Sequence, residues 1–242
     1  MPLFNSSSAR SLIRTVSLVS LTAIALVGSI AYLGFSNPAA HFSAALTEKP
    51  FPNPTHDLPK LTAKGEQTLV LAGGCFWGTE AVFEHLKGVS HVVSGFSGGS
   101  AETAHYETVS AGQTGHAESV KITYDPSQIS YGQLLKVFFS VAHDPTQLNR
   151  QGPDSGTQYR SAIFFANQEQ KQIAQAYIQQ LNQTHIFRQS IVTQLAPLQK
   201  FYAAEAYHQN FITHHPNYPY VVIHDLPKLK QLETQFAALY KN

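Results

Sequence analysis

The strongest constraint on this chain is a change of period at one glycine pair. Thr68 to Ala72 is a short apolar run that ends in Gly73-Gly74. Such a run reads as a buried strand entering a sharp turn. Beyond the pair, Phe76, Phe83 and Leu86 recur at i, i+7 and i+10, which is one face of a helix. Cys75 therefore sits at or near the first turn of that helix. It is the only cysteine of the chain, and Trp77 beside it is the only tryptophan. Free cysteine is among the most buried residue types, so a structural thiol in a core turn is one reading. A reactive thiol is the other. The positive end of a helix lowers a thiol pKa from its usual value of about 8.5. Glycines let backbone N–H groups approach an anion. Phe76 and Trp77 would offer apolar contact to something small, such as a methyl group.

The same periodicities place the other elements. His91 to Val93 continues as a second strand toward the glycine-rich "SGFSGGS", and Val120, Ile122 and Tyr124 alternate with polar residues as a half-buried strand. Ser130 and Gln133 form a capping-box pattern ahead of Leu134, Leu135, Phe138 and Val141. Tyr159 to Ala166 reads as a strand, Asn167 as the cap of a helix striped with Ile173, Tyr177 and Leu181, and Ser190 to Leu195 as a last strand. Leu229, Leu232, Phe236 and Leu239 mark a terminal helix after Asp225 and Pro227. The expected architecture is α+β: a two-layer sandwich with a ferredoxin-like mixed sheet and helices packed mainly on one side. Periodicity leaves strand order open.

The first 47 residues differ from the rest. Their only charges are Arg10 and Arg14, and Val16 to Phe35 carries none. Twenty such residues rise about 30 Å as a helix, the thickness of a bilayer core. Arginines precede the run, which places the remainder of the chain outside the cytoplasm. An uncleaved membrane anchor is favoured over a cleaved signal peptide, for which Ser43-Ala44-Ala45 is a weak cleavage pattern. Residues 48–66 read as a proline-rich linker with Pro50, Pro52, Pro54 and Pro59, and residues 67–242 as the folded domain.

Sixteen basic against fifteen acidic residues argue against a nucleic-acid partner. One cysteine excludes an intramolecular disulfide and a cysteine-cluster zinc site. His208, His214 and His215 lack a helical i, i+4 pair, so no metal is expected there.

Four further stretches extend the motif around Cys75. With "GCFWGTE" (Gly74 to Glu80) stand "GHAESVKITYDP" (Gly115 to Pro126), "HDPTQLNRQGPDSGTQYRSAIF" (His143 to Phe164), "FYAAEAYHQNF" and "HPNYPY" (Phe201 to Tyr220). In this set and order the chain resembles the A-type peptide-methionine (S)-S-oxide reductases, over nearly all of Thr68 to Tyr240. The resemblance implies that Cys75 attacks a sulfoxide sulfur and becomes a sulfenic acid. It implies that Phe76 and Trp77 receive the substrate's methyl group. It implies that Glu118 hydrogen-bonds or protonates the oxygen, that Tyr106 and Tyr159 help hold it, and that Asp154 organises the site. The substrate would be methionine sulfoxide, free or in oxidised proteins.

Two departures stand out. Many members carry one or two further cysteines near the C-terminus, and this chain has none. Regeneration would then need an external thiol, from a thioredoxin-like dithiol or from glutathione with a glutaredoxin, and no bound cofactor. Phe96 stands where many members carry tyrosine, a change expected to matter little. A monomer is expected. The rival enzyme reading is a cysteine hydrolase of Cys–His type, with His116 or His208 as candidate bases.

Overall fold

The structure is a computed structural model that describes residues 51–59 and 65–241. The proposed anchor or signal segment, 1–47, lies outside the described residues, as does part of the 48–66 stretch. No helix among the described residues is long and apolar enough to cross a membrane.

The chain begins its fold with the expected strand, β1 (Gln67–Gly73), followed by helix α1 (Phe76–Glu84). Strand β2 (Val89–Ser97) ends inside the glycine-rich stretch, as expected. A short helix α2 (Tyr106–Ser110) leads to β3 (Ala117–Tyr124). Helix α3 (Tyr131–Val137) has the full capping box at Ser130 and Gln133. A two-stranded hairpin, β4 (Arg150–Gln151) and β5 (Asp154–Ser155), precedes β6 (Ser161–Phe165). Asn167 caps α4 (Gln168–Thr184) by accepting from the Gln170 amide. Strands β7 (Gln194–Pro197) and β8 (Phe201–Ala203) come next, then α5 (Phe211–His214) and α6 (Leu226–Gln235).

The main sheet has the order β7-β6-β1-β3-β2-β8. All its pairs are antiparallel except β6 with β7. Because β3 is antiparallel to both β1 and β2, these two run parallel with β3 between them. That is the split β-α-β of ferredoxin-like folds, here with an extra strand on each edge. The alternation along β1 explains the layers. Leu69 and Leu71 join Val120, Ile122, Phe83 and Tyr177 in the large core under the helices. Val70 and Ala72 face the other way, into a smaller cluster with Phe164, flanked by Leu198 and Phe201. This second cover buries β3 on its other face too, at Ala117 and Ser119, while Glu118 shares the helix-side face with Val120 and Ile122.

Three expectations shift. The strand expected over Ser190 to Leu195 starts only at Gln194. Ile191 gives its N–H to Asn182 Oδ1 (3.0 Å) and Val192 gives its N–H to the Pro145 carbonyl (2.9 Å), so neither is free to pair in the sheet. Tyr159 lies in a 3₁₀ turn, Thr157–Tyr159, ahead of β6. Helix α6 stops at Gln235, and the chain beyond it is tied to the end of α1 by Lys87 N–H to Leu239 O and Lys241 N–H to His85 O.

Part of the stretch read as linker packs on the domain. Phe51 meets Phe187 edge-on, the Tyr177 hydroxyl donates to Pro52 O (2.8 Å), and the Gly132 amide donates to Asp57 Oδ1 (2.7 Å). Asp57 therefore reinforces the N-terminus of α3, where amides lack helical partners.

Candidate active site

Gly74 makes the turn between β1 and α1. Its φ is +91°, a conformation natural to glycine, and a Cβ there would lie 2.5 Å from the Gln151 side chain. The turn presents Cys75 as the residue that caps α1, 8% exposed. Gly78, one turn on, approaches Asp225 so closely that a Cβ would meet its Oδ1 at 2.1 Å.

Glu118 reaches the same place from β3. Its carboxyl is 2% exposed, and its Oε2 accepts from the Phe76 amide at 3.1 Å. Phe76 is the first residue of α1, so this is one of the amides a helix leaves unpaired. Burial drives the Glu118 pKa up to about 8; the Phe76 hydrogen bond opposes the shift and the Asp154 carboxyl adds to it. Phe96 lies directly opposite Glu118 in the β2–β3 register, and its ring packs 5.8 Å from that of Phe76. The position expected to matter little thus helps keep the acid dry.

The thiol behaves differently from expectation. Its pKa is pushed well above its usual value, first by burial and then by the Glu118 and Asp225 carboxylates. The Trp77 amide pulls it down, but the half charge of a helix end does not outweigh desolvation next to acids. At neutral pH the empty site holds a thiol beside a protonated carboxyl.

Tyr106 opens α2, and its ring stacks 6.4 Å from Phe76 and lies tilted 4.2 Å from His208. Burial, then the Glu118 charge, raises its phenol to about 12. Tyr159 is raised by the same two causes, with Asp154 next. Both are therefore neutral donors around Glu118 and Cys75. Asp154, on the hairpin, accepts a hydrogen bond from the Tyr220 hydroxyl; burial raises its pKa while that bond and Lys228 lower it.

Phe76 and Trp77 divide between core and wall. Phe76 is 1% exposed and belongs to the hydrophobic core. Trp77 is partly exposed and lies flat on Phe211, with centroids 3.7 Å apart and 6° between planes. Tyr218 and Tyr220 meet it edge-on at 6.2 and 6.0 Å. Its indole N–H donates to His208 Nδ1 at 3.1 Å. The structure thus brings together all seven residues singled out from the sequence, Phe76 as the inner support. Sequence reasoning assigned no part to Tyr220, Phe211, His208 as Trp77's partner, or Asp225. The aromatic density of Tyr207 to Tyr220 was the available signal.

The histidines named as candidate bases are held by other partners. His116 is bonded through Nδ1 to the Gly99 amide and through Nε2 to Ser100 O. His208 Nδ1 is taken by Trp77. His143 is engaged at both nitrogens, by Phe138 O and Ser161 Oγ. Among the described residues no group of three or more His, Cys, Asp and Glu is arranged to hold a metal ion. The arrangement suits a thiol that attacks a soft centre while a neutral acid and two phenols receive an oxygen.

Residues 67–240 match the sequence profile of the peptide methionine sulfoxide reductase family. A Mesorhizobium japonicum protein named peptide methionine sulfoxide reductase MsrA 2 is 60% identical over 178 residues, 74% of this chain and 91% of that protein. A Synechocystis protein of the same name is 51% identical over 207 residues, 85% of this chain and 97% of its own length. Among solved structures, reduced Mxr1 from Saccharomyces cerevisiae superposes with a TM-score of 0.57 at 30% identity, covering 70% of this chain and 94% of that one. Methionine sulfoxide reductase A of Corynebacterium diphtheriae gives 0.56 at 33% identity, with 72% and 89% covered.

Proposed function

The chain belongs to the peptide methionine sulfoxide reductase family, A type, and from that premise we propose how its own residues reduce methionine sulfoxide to methionine. The observation that carries the reading is the carboxyl of Glu118, buried beside Cys75, held by the first amide of α1, and protonated up to about pH 8.

The sulfoxide methyl lies against Trp77, backed by Phe211 and flanked by Tyr218 and Tyr220. The oxygen points to Glu118, with Tyr106 and Tyr159 donating to it. A sulfoxide oxygen departs poorly until it is protonated, and a dry carboxylic acid can supply that proton at neutral pH. Cys75 Sγ attacks the substrate sulfur as Glu118 gives its proton to the oxygen, and the thiol proton then refills Glu118. The hydroxyl then passes from the substrate sulfur to Sγ as the sulfur–sulfur bond breaks, which leaves Cys75 as a sulfenic acid and releases methionine. Attacking sulfur, methyl wall and oxygen site fix three directions around the substrate sulfur. Exchanging oxygen and lone pair leaves the buried donors unpaired, at about 1–3 kcal/mol each. One epimer is therefore selected, and membership of the A-type family makes it the S epimer.

With one cysteine in the chain, the sulfenic acid is reduced from outside. A thioredoxin-like dithiol, or glutathione with a glutaredoxin, has the required chemistry. Arg10 and Arg14 ahead of the charge-free run support a site of action outside the cytoplasm. The mass of the mature N-terminus decides between anchor and cleaved signal.

Single-turnover assays on the separated epimers test the assignment. Without reductant, the S epimer should yield about one methionine per chain and then stop. Equal rates on R and S would overturn the reading.

A further inference from the structure

Cys75 lines a second space. A cavity of about 80 Å³ borders it, walled by His143, Gln151, Tyr220, His224, Lys228 and Gln231 among others. None of the three groups assigned to the oxygen, Glu118, Tyr106 and Tyr159, belongs to this wall. Nor does Trp77, and Tyr220 stands between this cavity and the Trp77 wall. A single water needs about 10–15 Å³ on this measure, so the space is several times too large for one water and admits the –CH₂–SH end of a thiol.

The first half-reaction leaves oxygen on Cys75, turned toward Glu118. Displacement at a divalent sulfur runs in line: the incoming atom approaches opposite the departing one. A thiol arriving through the methionine pocket would come from the oxygen's own side. The cavity gives the sulfur an approach that the oxygen donors do not occupy. Because the chain has no second cysteine, that approach has to be filled by another molecule's sulfur.

We propose that this cavity is the port through which the reducing thiol reaches Cys75, an inference that rests on the sulfenic acid reading above. The thiol R–SH attacks Cys75–S–OH, an S–S bond forms, the S–O bond breaks, and the thiol proton ends on the departing oxygen as water. Cys75 is reduced by one step as the incoming sulfur is oxidised. A second thiol then attacks the R sulfur of the mixed disulfide and frees Cys75.

The walls suit that traffic. The ammonium of Lys228 lines the port, 3.2 Å from Asp225 Oδ1, and a thiolate passing it is favoured by its charge. His143 has both nitrogens committed and its pKa lowered by burial to about 4, so it adds no charge. Gln231 lines the space from α6 and bonds outward to Ser140 O at 2.9 Å.

The test fills or widens the port at one position in the full-length protein. Gln231→Trp occupies it and Gln231→Ala enlarges it; both lose the Ser140 contact equally, so their difference reports space. Each protein is charged to the sulfenic acid with one equivalent of the S epimer. Its decay is then monitored with glutathione and, separately, with reduced thioredoxin. Methionine formation should stay within about twofold in both variants, which also shows that they fold. Sulfenic acid decay should slow at least tenfold in Gln231→Trp and be unchanged or faster in Gln231→Ala. Slowing with glutathione alone, or with thioredoxin alone, supports the port and identifies its user. Decay in Gln231→Trp within twofold of wild type for both thiols would overturn the proposal. Absence of a methionine burst in the wild type would instead remove the sulfenic acid reading beneath it.

Discussion

Two buried carboxyls, one on β3 and one within α1, are both held far above the usual carboxylate range. Glu118 on β3 is 2% exposed and Glu80 within α1 is 1% exposed. Burial raises each to about 8. Glu118 accepts the Phe76 amide at 3.1 Å and Glu80 the Asn210 amide at 3.0 Å, and Ser94 also pulls the Glu80 pKa down. What differs is the neighbour. Glu118 acts electrostatically on Cys75, Tyr106 and Tyr159. Glu80 has Glu84 as its charged neighbour and an Oε1 without a hydrogen-bond partner. Its amide partner, Asn210, has a left-handed φ of 52° and joins the turn bearing His208 to α5 bearing Phe211. A raised pKa thus does not mark a catalytic acid. Position beside the nucleophile does, and Glu80 spends the same acidity on bracing the segment behind Trp77.

The largest expected effect separates the two directly. Glu118→Gln keeps an acceptor for the Phe76 amide but loses the proton. The methionine-forming step should slow by about 10²–10⁴-fold, the usual span for a general acid. Glu80→Gln should stay within about fivefold. If the two variants are equally slow in single turnover, the distinction fails.

The pH profile should track Glu118 alone. As pH rises through about 8 its carboxyl ionises, and the wild-type single-turnover rate should fall about tenfold per pH unit beyond. Glu80→Gln should keep that limb and Glu118→Gln should lack it. A wild-type rate flat to high pH would mean that the ionised carboxylate first draws the proton from the thiol.

Stability should not tell the two apart, and that sharpens the contrast. In the folded state both carboxyls hold their protons to about pH 8, while in the unfolded chain they release them near 4.5. The folded state therefore binds more protons between these values, and stability falls as pH rises across that window. Above about 8 the loss is complete, at most about 5 kcal/mol per group. Either glutamine variant should flatten this slope in denaturant titrations at pH 5 and pH 8.5. A slope unchanged in Glu80→Gln would show that its carboxyl is already ionised in the folded protein.

The smallest effect concerns the wall. Trp77→Phe removes the hydrogen bond to His208, worth about 0.5–1.5 kcal/mol, and part of the stack on Phe211. KM for the S epimer should rise by a few-fold with the single-turnover maximum nearly unchanged. A comparable loss in that maximum would give the indole a part in the chemistry itself.

Legibility in the sequence tracked locality. The turn at Gly73-Gly74 and the caps at Ser130 and Asn167 are short-range devices, and each appears where the pattern puts it. The strand near Ser190 slid because its amides bind Asn182 and Pro145, partners that no local pattern names. The seven residues proposed for the site came from the family resemblance, and the structure places them near one another. The thiol's high pKa was not legible, because it comes first from burial, which only the folded chain defines, and then from carboxyls 43 and 150 positions away, at Glu118 and Asp225. The wall behind Trp77 escaped notice for a related reason. Residues 207–220 form short turns with little periodicity, and their aromatic rings gain a role only when folded against α1.

The only tryptophan of the chain is also the wall of the site. With no second indole to mask it, the intrinsic fluorescence of the protein is a spectroscopic readout of one place. Its ring is stacked on Phe211 and hydrogen-bonded to His208, so a methyl group settling on it, or a shift of the segment behind it, changes emission directly. Substrate entry can then be timed optically in the unlabelled enzyme, separately from the chemistry at Cys75.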